Sequence, residues 1–400
     1  MGTDDDRGLA AFRALTSPAG RAVLDTLPPY AEHDTLAAAE ALRGRGVDPD
    51  LAAAALTQAR LRSRAVARLG PAGATTWWTP DGLEQVTRPA VAAAHAQRFA
   101  GLVAAAGDGR VADLCCGIGG DLVALAAAGV SVLGVDRDPL TVEVARANVT
   151  DRGLGDRVEL RLDDVTTTSL DGVSAVFVDP ARRGGGRRAL DPGSWSPPLS
   201  FVLDLAGWLP VGAKLAPGVP HALLPEGAEA EWVSDGGDVL ECALWTGPLS
   251  TGVARRATLL PGGDSLTGDG NRRGHAGDVG AFLVEPDGAV IRAGLVAELG
   301  DLVGGRLLDP TIAYLTCDDL PWTPFGTAYA VLDVLPFGLK RLRTYLRDRG
   351  VGRLTIKKRG TAVVPETLRR QLRLSGAAEA TIVLTRVAGG QVVLVVDPVR

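Results

Sequence analysis

The chain reads as a three-part α/β protein: a helical N-terminal region, a mostly parallel sheet flanked by helices, and a small α/β unit at the C-terminal end. Three observations predict this. Between residues 110 and about 246, short apolar runs alternate with helical stretches, as in a parallel sheet with crossover helices. Residues 1 to about 85 are alanine-rich and helix-forming, in segments such as 36–43 and 51–67 separated by Gly and Pro. From about residue 328, strands and helices alternate again on a smaller scale.

Four segments follow in order. The helical domain takes 1–85 and runs into a helix from Leu83 through Phe99, with Pro89 either in its first turns or kinking it. The core takes 86–255, with strands expected at 111–115, 131–135, 158–162, 175–178 and 212–216, then near 231–234 and 239–245. A connecting β-rich segment takes 256–327. Its Gly- and Asp-rich stretch 261–278 reads as an exposed loop, and 282–291 as a hairpin around Pro286-Asp287-Gly288. The last domain, 328–400, has strands at 329–334 and 352–357, helices at 338–349 and 365–374, and a strand pair at 380–386 and 391–396.

The run Val-Ala-Asp-Leu-Cys-Cys-Gly-Ile-Gly-Gly-Asp at 111–121 is an apolar strand entering a glycine turn and then a helix. Gly117, Gly119 and Gly120 let the backbone turn sharply and approach a ligand. The free N–H groups of the helix that follows point back at the turn and suit a negative or polar ligand end. Asp136 closes the next strand, where an acid accepts bonds from both hydroxyls of a ribose. A nucleoside-containing cofactor is therefore expected. A dinucleotide fingerprint would need a third glycine at 122, which is Leu122, and no Gly-Lys-Ser/Thr follows to make a P-loop.

At these residues the sequence resembles the class I S-adenosylmethionine-dependent methyltransferases, whose sheet is Rossmann-like. Asp136-Arg137-Asp138-Pro139 resembles their ribose-binding motif. Leu162-Asp163-Asp164-Val165 falls where they contact the adenine amino group, and Val176-Phe177-Val178-Asp179-Pro180-Ala181-Arg182 resembles their motif IV at the reactive centre. The turn itself is similar to that of trimethylguanosine synthases and related RNA-modifying members. The resemblance implies S-adenosylmethionine as cofactor. It places Cys115, Gly117, Gly119, Gly120 and Asp121 in the turn that meets its methionine end, with Asp113 orienting the ammonium through water. Asp136 would hold the ribose, Asp163 or Asp164 the adenine, and Asp179 with the Pro180 backbone would face the nucleophile. The C-terminal unit resembles the THUMP-like domain of a bacterial methyltransferase family, through Gly352-Arg353-Leu354-Thr355-Ile356-Lys357-Lys358-Arg359-Gly360 and Leu368-Arg369-Arg370-Gln371-Leu372.

Charge points to the acceptor. Segment 340–373 carries twelve Lys and Arg against Asp348 and Glu366, on a chain whose net charge is −5. So basic a stretch on an acidic protein is an electrostatic footprint for a polyanion, and RNA is the partner expected. A solvated helix face is the plainer reading of the same charges. Lys357, Lys358 and Arg359 are candidate substrate contacts there, as are Arg182 and Arg183 beside motif IV, where Gly184-Gly185-Gly186 make a pliable loop. Motif IV lacks the aromatic that stacks a flipped base, because Arg182 stands in its place. Trp195 is an alternative stacking partner, and also a plausible packing residue. Carbon-5 pyrimidine methylation needs a cysteine after the fifth strand, and 212–225 contains none. A base nitrogen is therefore favoured. A small-molecule or protein acceptor stays open, as does a non-catalytic cofactor- and RNA-binding protein.

Composition excludes other classes. No run of eighteen apolar residues suits a membrane span. The acidic start lacks a signal-peptide core. Four scattered cysteines make no disulfide framework, and no histidine stands near a Cys-x-x-Cys pair, so neither a metal site nor an oxidising compartment is expected and a cytoplasmic location follows. Nothing in the sequence sets the oligomeric state.

Overall fold

The computed structural model describes the chain except Met1, Asp108, Arg182, 185–186, 189–191 and Arg400, and it divides the chain into two compact units. The first takes Met1–Leu215 and Leu244–Thr251; the second takes Ala216–Ala243 and Gly252–Arg400.

In the first unit, helices α1 (Gly2–Thr16), α2 (Pro18–Asp25), α3 (Thr35–Gly44), α4 (Pro49–Leu69), α5 (Pro80–Gln85) and α6 (Pro89–Ala106) precede the sheet. Ser17, Asp48 and Thr79 accept backbone N–H bonds at the starts of α2, α4 and α5, and a proline opens each of these helices. The expected single helix from 83 to 99 is two. Pro89 sits at the first turn of α6, and a proline holds the residue before it extended, so the chain straightens over Val86, Thr87 and Arg88.

Strands β1 (Arg110–Leu114), β2 (Ser131–Asp136), β3 (Val158–Leu162) and β4 (Val173–Val178) follow, with helices α7 (Gly120–Ala127) and α8 (Pro139–Asp151) as the crossovers after β1 and β2. The small strands β5 (Arg183–Gly184) and β6 (Arg187–Arg188), helix α9 (Leu199–Ala206) and β7 (Val211–Leu215) complete this run. The order β7-β4-β1-β2-β3 is parallel throughout. Because β2 lies on one side of β1 and β4 on the other, the chain reverses its winding beside β1. Ligands of such sheets bind at that switch point, beyond the carboxyl ends of the strands.

The helical region is not a separate lobe. Phe12, Leu15, Leu61, Trp77 and Trp78 share one buried cluster with Ile118 of the glycine turn and Val144 of α8. Asn148 ties the two parts together: its Nδ2 donates to Trp77 O (3.0 Å) and Ile118 O (2.9 Å), while its Oδ1 accepts from Trp77 N (2.8 Å). Leu122, where a dinucleotide site would need glycine, is fully buried, and the space it fills is left by Gly134 on β2. A Cβ at 134 would sit 2.9 Å from the Leu122 side chain.

In the second unit, β8 (Glu229–Asp235) and β9 (Asp238–Trp245, whose last two residues belong to the first unit) are followed by β10 (Arg255–Leu260) and β11 (Asp264–Gly268). Strand β10 pairs parallel to β8 and antiparallel to β11, so the expected loop 261–278 contains a strand. The expected hairpin at 282–291 is instead β12 (Phe282–Pro286) and a helix, α10 (Gly288–Ala293). Asp287 caps that helix by accepting from Ala289 N, a role a Pro-Asp-Gly turn signal does not distinguish. Helix α11 (Val296–Leu302), β13 (Arg306–Asp309), β14 (Ile312–Cys317) and β15 (Gly326–Pro336) lead to the last domain. There α12 (Leu339–Asp348), β16 (Val351–Lys358), α13 (Pro365–Leu372), β17 (Ala378–Val387) and β18 (Gly390–Pro398) follow. The seven strands order as β13-β14-β12-β15-β18-β17-β16, and Leu342, Leu346, Leu368 and Leu372 pack the two helices onto Ile382, Val393 and Val395. Among the described residues no helix is long and apolar enough to cross a membrane.

Candidate active site

The glycine turn, Asp136, Asp163, Asp164 and Asp179 all fall at the carboxyl edge of the parallel sheet, because each ends or follows a strand whose register the others share. Asp113 pairs across β1 with Gly134 and Phe177, and Leu114 with Val135 and Val178, so the chain leaves β1, β2 and β4 at one level.

Backbone conformation makes the turn. Cys115 (φ 62°), Gly117 (φ 56°) and Gly119 (φ 90°) take left-handed angles, and Gly119 caps α7 without any side-chain bond, leaving the first N–H groups of that helix open at the edge. A Cβ on Gly117 would meet nothing within 4 Å, so the space over the turn is clear, whereas one on Gly120 would strike Val86 at 2.8 Å. Gly120 is thus a packing glycine. Asp136 fixes the turn's shape: its Oδ2 accepts from Gly117 N (3.0 Å) and its Oδ1 from Asp138 N (3.1 Å). Burial raises its carboxyl above the ordinary value against the pull of those two N–H groups. Each oxygen keeps a further lone pair for a hydroxyl.

Asp113 is buried to 1% exposure, and among the described residues its Oδ2 has no hydrogen-bond partner. Burial, with the like charges of Asp121, Asp179 and Asp136, pushes its carboxyl well above the usual range. A buried unsatisfied carboxylate oxygen costs free energy until a donor arrives. Cys115 and Cys116 sit beside it. Burial raises both thiols, so neither is a ready thiolate.

The other expected residues divide. Asp163 and Asp164 are exposed beyond β3; Asp164 Oδ1 is engaged by Thr166, and Asp163 Oδ1 by Asp164 N. Leu162, paired with Asp136, is 57% exposed and offers an apolar surface beside them. Asp121 turns inward. Its Oδ2 accepts from Thr87 Oγ1 (2.5 Å) and its Oδ1 meets His95 Nδ1 (2.8 Å). Burial works against its charge, but His95, Lys214 and Thr87 outweigh burial and hold its carboxyl below the usual range. Pro180 is buried behind Asp179. Trp195 is 3% exposed, so its ring packs in the interior and is not set out to receive a base. Arg182 lies outside the described residues, and of Arg183 only the backbone, in β5, is described.

One group went unnoticed in the sequence. Val178 pairs with Ala213, so the next residues along β4 and β7 bring Asp179 beside Lys214. The Lys214 ammonium, on a side chain only 7% exposed, donates to Asp179 Oδ2 (2.7 Å), Thr87 Oγ1 (2.9 Å) and Gln85 O (3.3 Å). A buried ammonium is tolerated only when so compensated. A lysine inside a strand otherwise built of apolar and small residues was the available signal.

In the second unit, the expected basic contacts are held by their own sheet and by the segment that follows β16. Lys357 donates to Glu285 Oε2 (2.6 Å) and stands over the Tyr329 ring at 5.4 Å. Lys358 donates to Val363 O (3.0 Å), and Arg359 to Ala313 O (3.3 Å) while covering Tyr314. Lys340, Arg341, Arg347, Arg370 and Arg373 are exposed along α12, α13 and the residue after it.

A methyltransferase domain family matches residues 111–179, a THUMP domain-like family matches 326–398, and a domain of unknown function matches 5–65. An uncharacterised S-adenosylmethionine-dependent methyltransferase of Mycobacterium tuberculosis is 37% identical over 340 residues, 82% of this chain and 91% of the relative. Over 79 residues, 19% of this chain, the sequence is 40% identical to an uncharacterised RNA methyltransferase of Parasynechococcus marenigrum and 39% identical to a 23S rRNA uracil-C5-methyltransferase of Shewanella sediminis. Those stretches cover 17% and 18% of the two relatives. In fold, the chain is similar to a protein of Porphyromonas gingivalis W83 named as a candidate methyltransferase. Its TM-score is 0.67 at 20% identity, covering 92% of this chain and 99% of that one.

Proposed function

The chain belongs to the S-adenosylmethionine-dependent methyltransferases, and from that premise we propose that its acceptor is RNA, methylated at a base nitrogen presented to Asp179. The residues at the sheet edge fit the cofactor. The orphaned Oδ2 of Asp113 is an acceptor waiting for a donor such as the methionine ammonium, reached through water, and the clear space over Gly117 admits the chain that carries it. The open N–H groups of α7 suit a carboxylate. Asp136 receives the ribose hydroxyls, and Asp163 or Asp164, next to the exposed Leu162, receives the adenine.

S-adenosylmethionine supplies a methyl group already activated on a sulfonium, so this chain's task is to align and to manage one proton. With the cofactor bound, the acceptor nitrogen would take the methyl carbon as the carbon–sulfur bond breaks, the electron pair leaving with sulfur. Asp179 accepts the N–H bond that orients the nitrogen, then takes its proton. A heteroatom acceptor is favoured over a pyrimidine carbon because carbon-5 chemistry needs a cysteine to attack the ring first, and residues 212–225, along and after the strand that carries Lys214, contain none.

The observation that carries the RNA reading is the exposed basic face of α12 and α13, whose cations Lys340, Arg341, Arg347, Arg370 and Arg373 point away from the apolar side packed on the sheet. The short stretch of likeness to RNA methyltransferases supports it. Incubating the protein with labelled S-adenosylmethionine and total RNA from a strain lacking it should label a discrete RNA. Label appearing instead in the protein or small-molecule fraction of that strain would overturn the acceptor.

A further inference from the structure

We propose that Lys214 is a positioning residue for methyl transfer: from β7 it holds the Asp179 carboxylate charged and in one orientation, and a buried line through Thr87, Asp121 and His95 holds Lys214. The proposal rests on the reading that Asp179 faces the acceptor.

The line has one consistent direction of donation. An ammonium has no lone pair, so every Lys214 bond is a donation, including that to Thr87 Oγ1 (2.9 Å). The Thr87 proton is then directed to Asp121 Oδ2 (2.5 Å), and the other oxygen of Asp121 meets His95 Nδ1 (2.8 Å). His95 is fixed in turn between the rings of Phe177 and Trp245, at 5.0 and 5.6 Å. The partners of the ammonium come from separate elements: Asp179 follows β4, while Gln85 O and Thr87 come from the end of α5 and the extended residues before α6. Rotation of the ammonium would break bonds to two elements at once.

Burial is unequal across the pair. The Lys214 side chain is 7% exposed and that of Asp179 26%. The cation is sealed in while the carboxylate reaches the edge where the other site residues gather. An ion pair serving only the core has no reason to open one member to the ligand side. Among the described residues, the charged and titratable groups that interact with Asp179 include Lys214 from β7, Asp113 from β1 and Cys115 of the turn, with Asp136 from β2 beside Asp113, and Asp121 with His95 behind Lys214. Lys214 is the cation bonded to Asp179 in this set, so it favours the form of Asp179 that accepts a proton.

The test is methyl transfer to total RNA from a strain lacking the protein, measured against pH for Lys214→Met, Lys214→Arg, Thr87→Val and Asp179→Asn. Lys214→Met should lower kcat at least ~10-fold, keep KM for S-adenosylmethionine within about threefold, and move the acid limb of the profile up by roughly one pH unit or more. Lys214→Arg should leave the limb in place, and Thr87→Val should move it in the same sense by less. A titration of the ¹³C-labelled aspartate carboxyls by NMR, in the ligand-free protein, needs no acceptor and should show Asp179 taking its proton at higher pH in Lys214→Met. If Lys214→Met does not fold, Thr87→Val decides by the same limb and the same NMR titration, an unmoved limb and titration overturning the proposal, with Lys214→Arg as the charge-preserving control. A folded Lys214→Met with unchanged kcat, limb and NMR titration, alongside an inactive Asp179→Asn, overturns this proposal alone. Asp179→Asn turning over at the wild-type rate overturns the reading of Asp179 and this proposal with it.

Discussion

The two units treat charge in opposite ways. In the first, Asp113, Asp136 and Asp179 come from three strands and meet at one sheet edge, although like charges crowd there and push Asp113 toward its neutral form. In the second, twelve basic residues fall within one short stretch, yet Lys357 and Arg359 bind back onto their own sheet, Lys358 onto the segment before α13, and exposed cations line the outer faces of α12 and α13. Convergence against electrostatic cost marks a site built for a ligand. Adjacency in sequence does not, because neighbouring residues of a strand point to opposite faces.

The contrast can be broken at several points. The largest effect is expected at Asp179: replacing it with Ala should lower methyl transfer by roughly 10²–10⁴-fold, the usual worth of a general base, with S-adenosylmethionine affinity by calorimetry nearly unchanged. Asp136→Ala removes charge-assisted bonds worth about 1.5–3 kcal/mol each. It should weaken cofactor binding by at least ~10²-fold, and wild-type affinity in the same calorimetric titration would remove Asp136 from the site.

Asp113→Asn gives a pH signature. The folded protein holds the Asp113 proton more tightly than the unfolded chain does, so the wild type has the full benefit below about pH 4, the ordinary carboxylate value, and loses it as pH rises toward the higher folded value. Thermal melts should therefore place Asp113→Asn close to wild type at about pH 3.5 and several degrees above it at about pH 7. A gap that narrows with rising pH would contradict the burial of that charge. The smallest effect separates the two kinds of cation in the second unit. Alanine at Lys340, Arg341 or Arg370 should weaken RNA binding a few-fold and reduce the salt slope by about 0.7 for each phosphate no longer neutralised. Lys357→Met should leave the slope alone while lowering the melting temperature, since its Glu285 partner is stranded.

How much of this was legible follows from where the information lies. The parallel sheet, its glycine turn and the acids at 113, 136 and 179 could be read because strand, turn and helix succeed one another locally and each acid is tied to a strand end. Lys214 and Asn148 could not. Their partners lie 35 and 127 residues away for Lys214 and 30 and 71 for Asn148, and only strand order and helix packing bring them together. Trp195 looked like a stacking ring because aromatic type is visible and burial is not. The hairpin expected at 282–291 failed for a local reason: Asp before Gly serves as well to start a helix as to turn a strand.

Leu122 and Gly134 have a consequence for the history of the family. The space over Gly134 on β2 is filled by Leu160 and Leu122 together, at 2.8 and 2.9 Å from where a Cβ would stand, with Cys116 Sγ at 3.3 Å. A chain drifting toward a glycine at 122 would open a void under the turn unless position 134 grew at the same time. Growth at 134 would have to displace Leu160 as well, so the void is not refilled by a single partner change. Among relatives, a smaller residue at 122 should therefore be accompanied by repacking at both 134 and 160, and a step toward a dinucleotide-type turn takes at least three positions together.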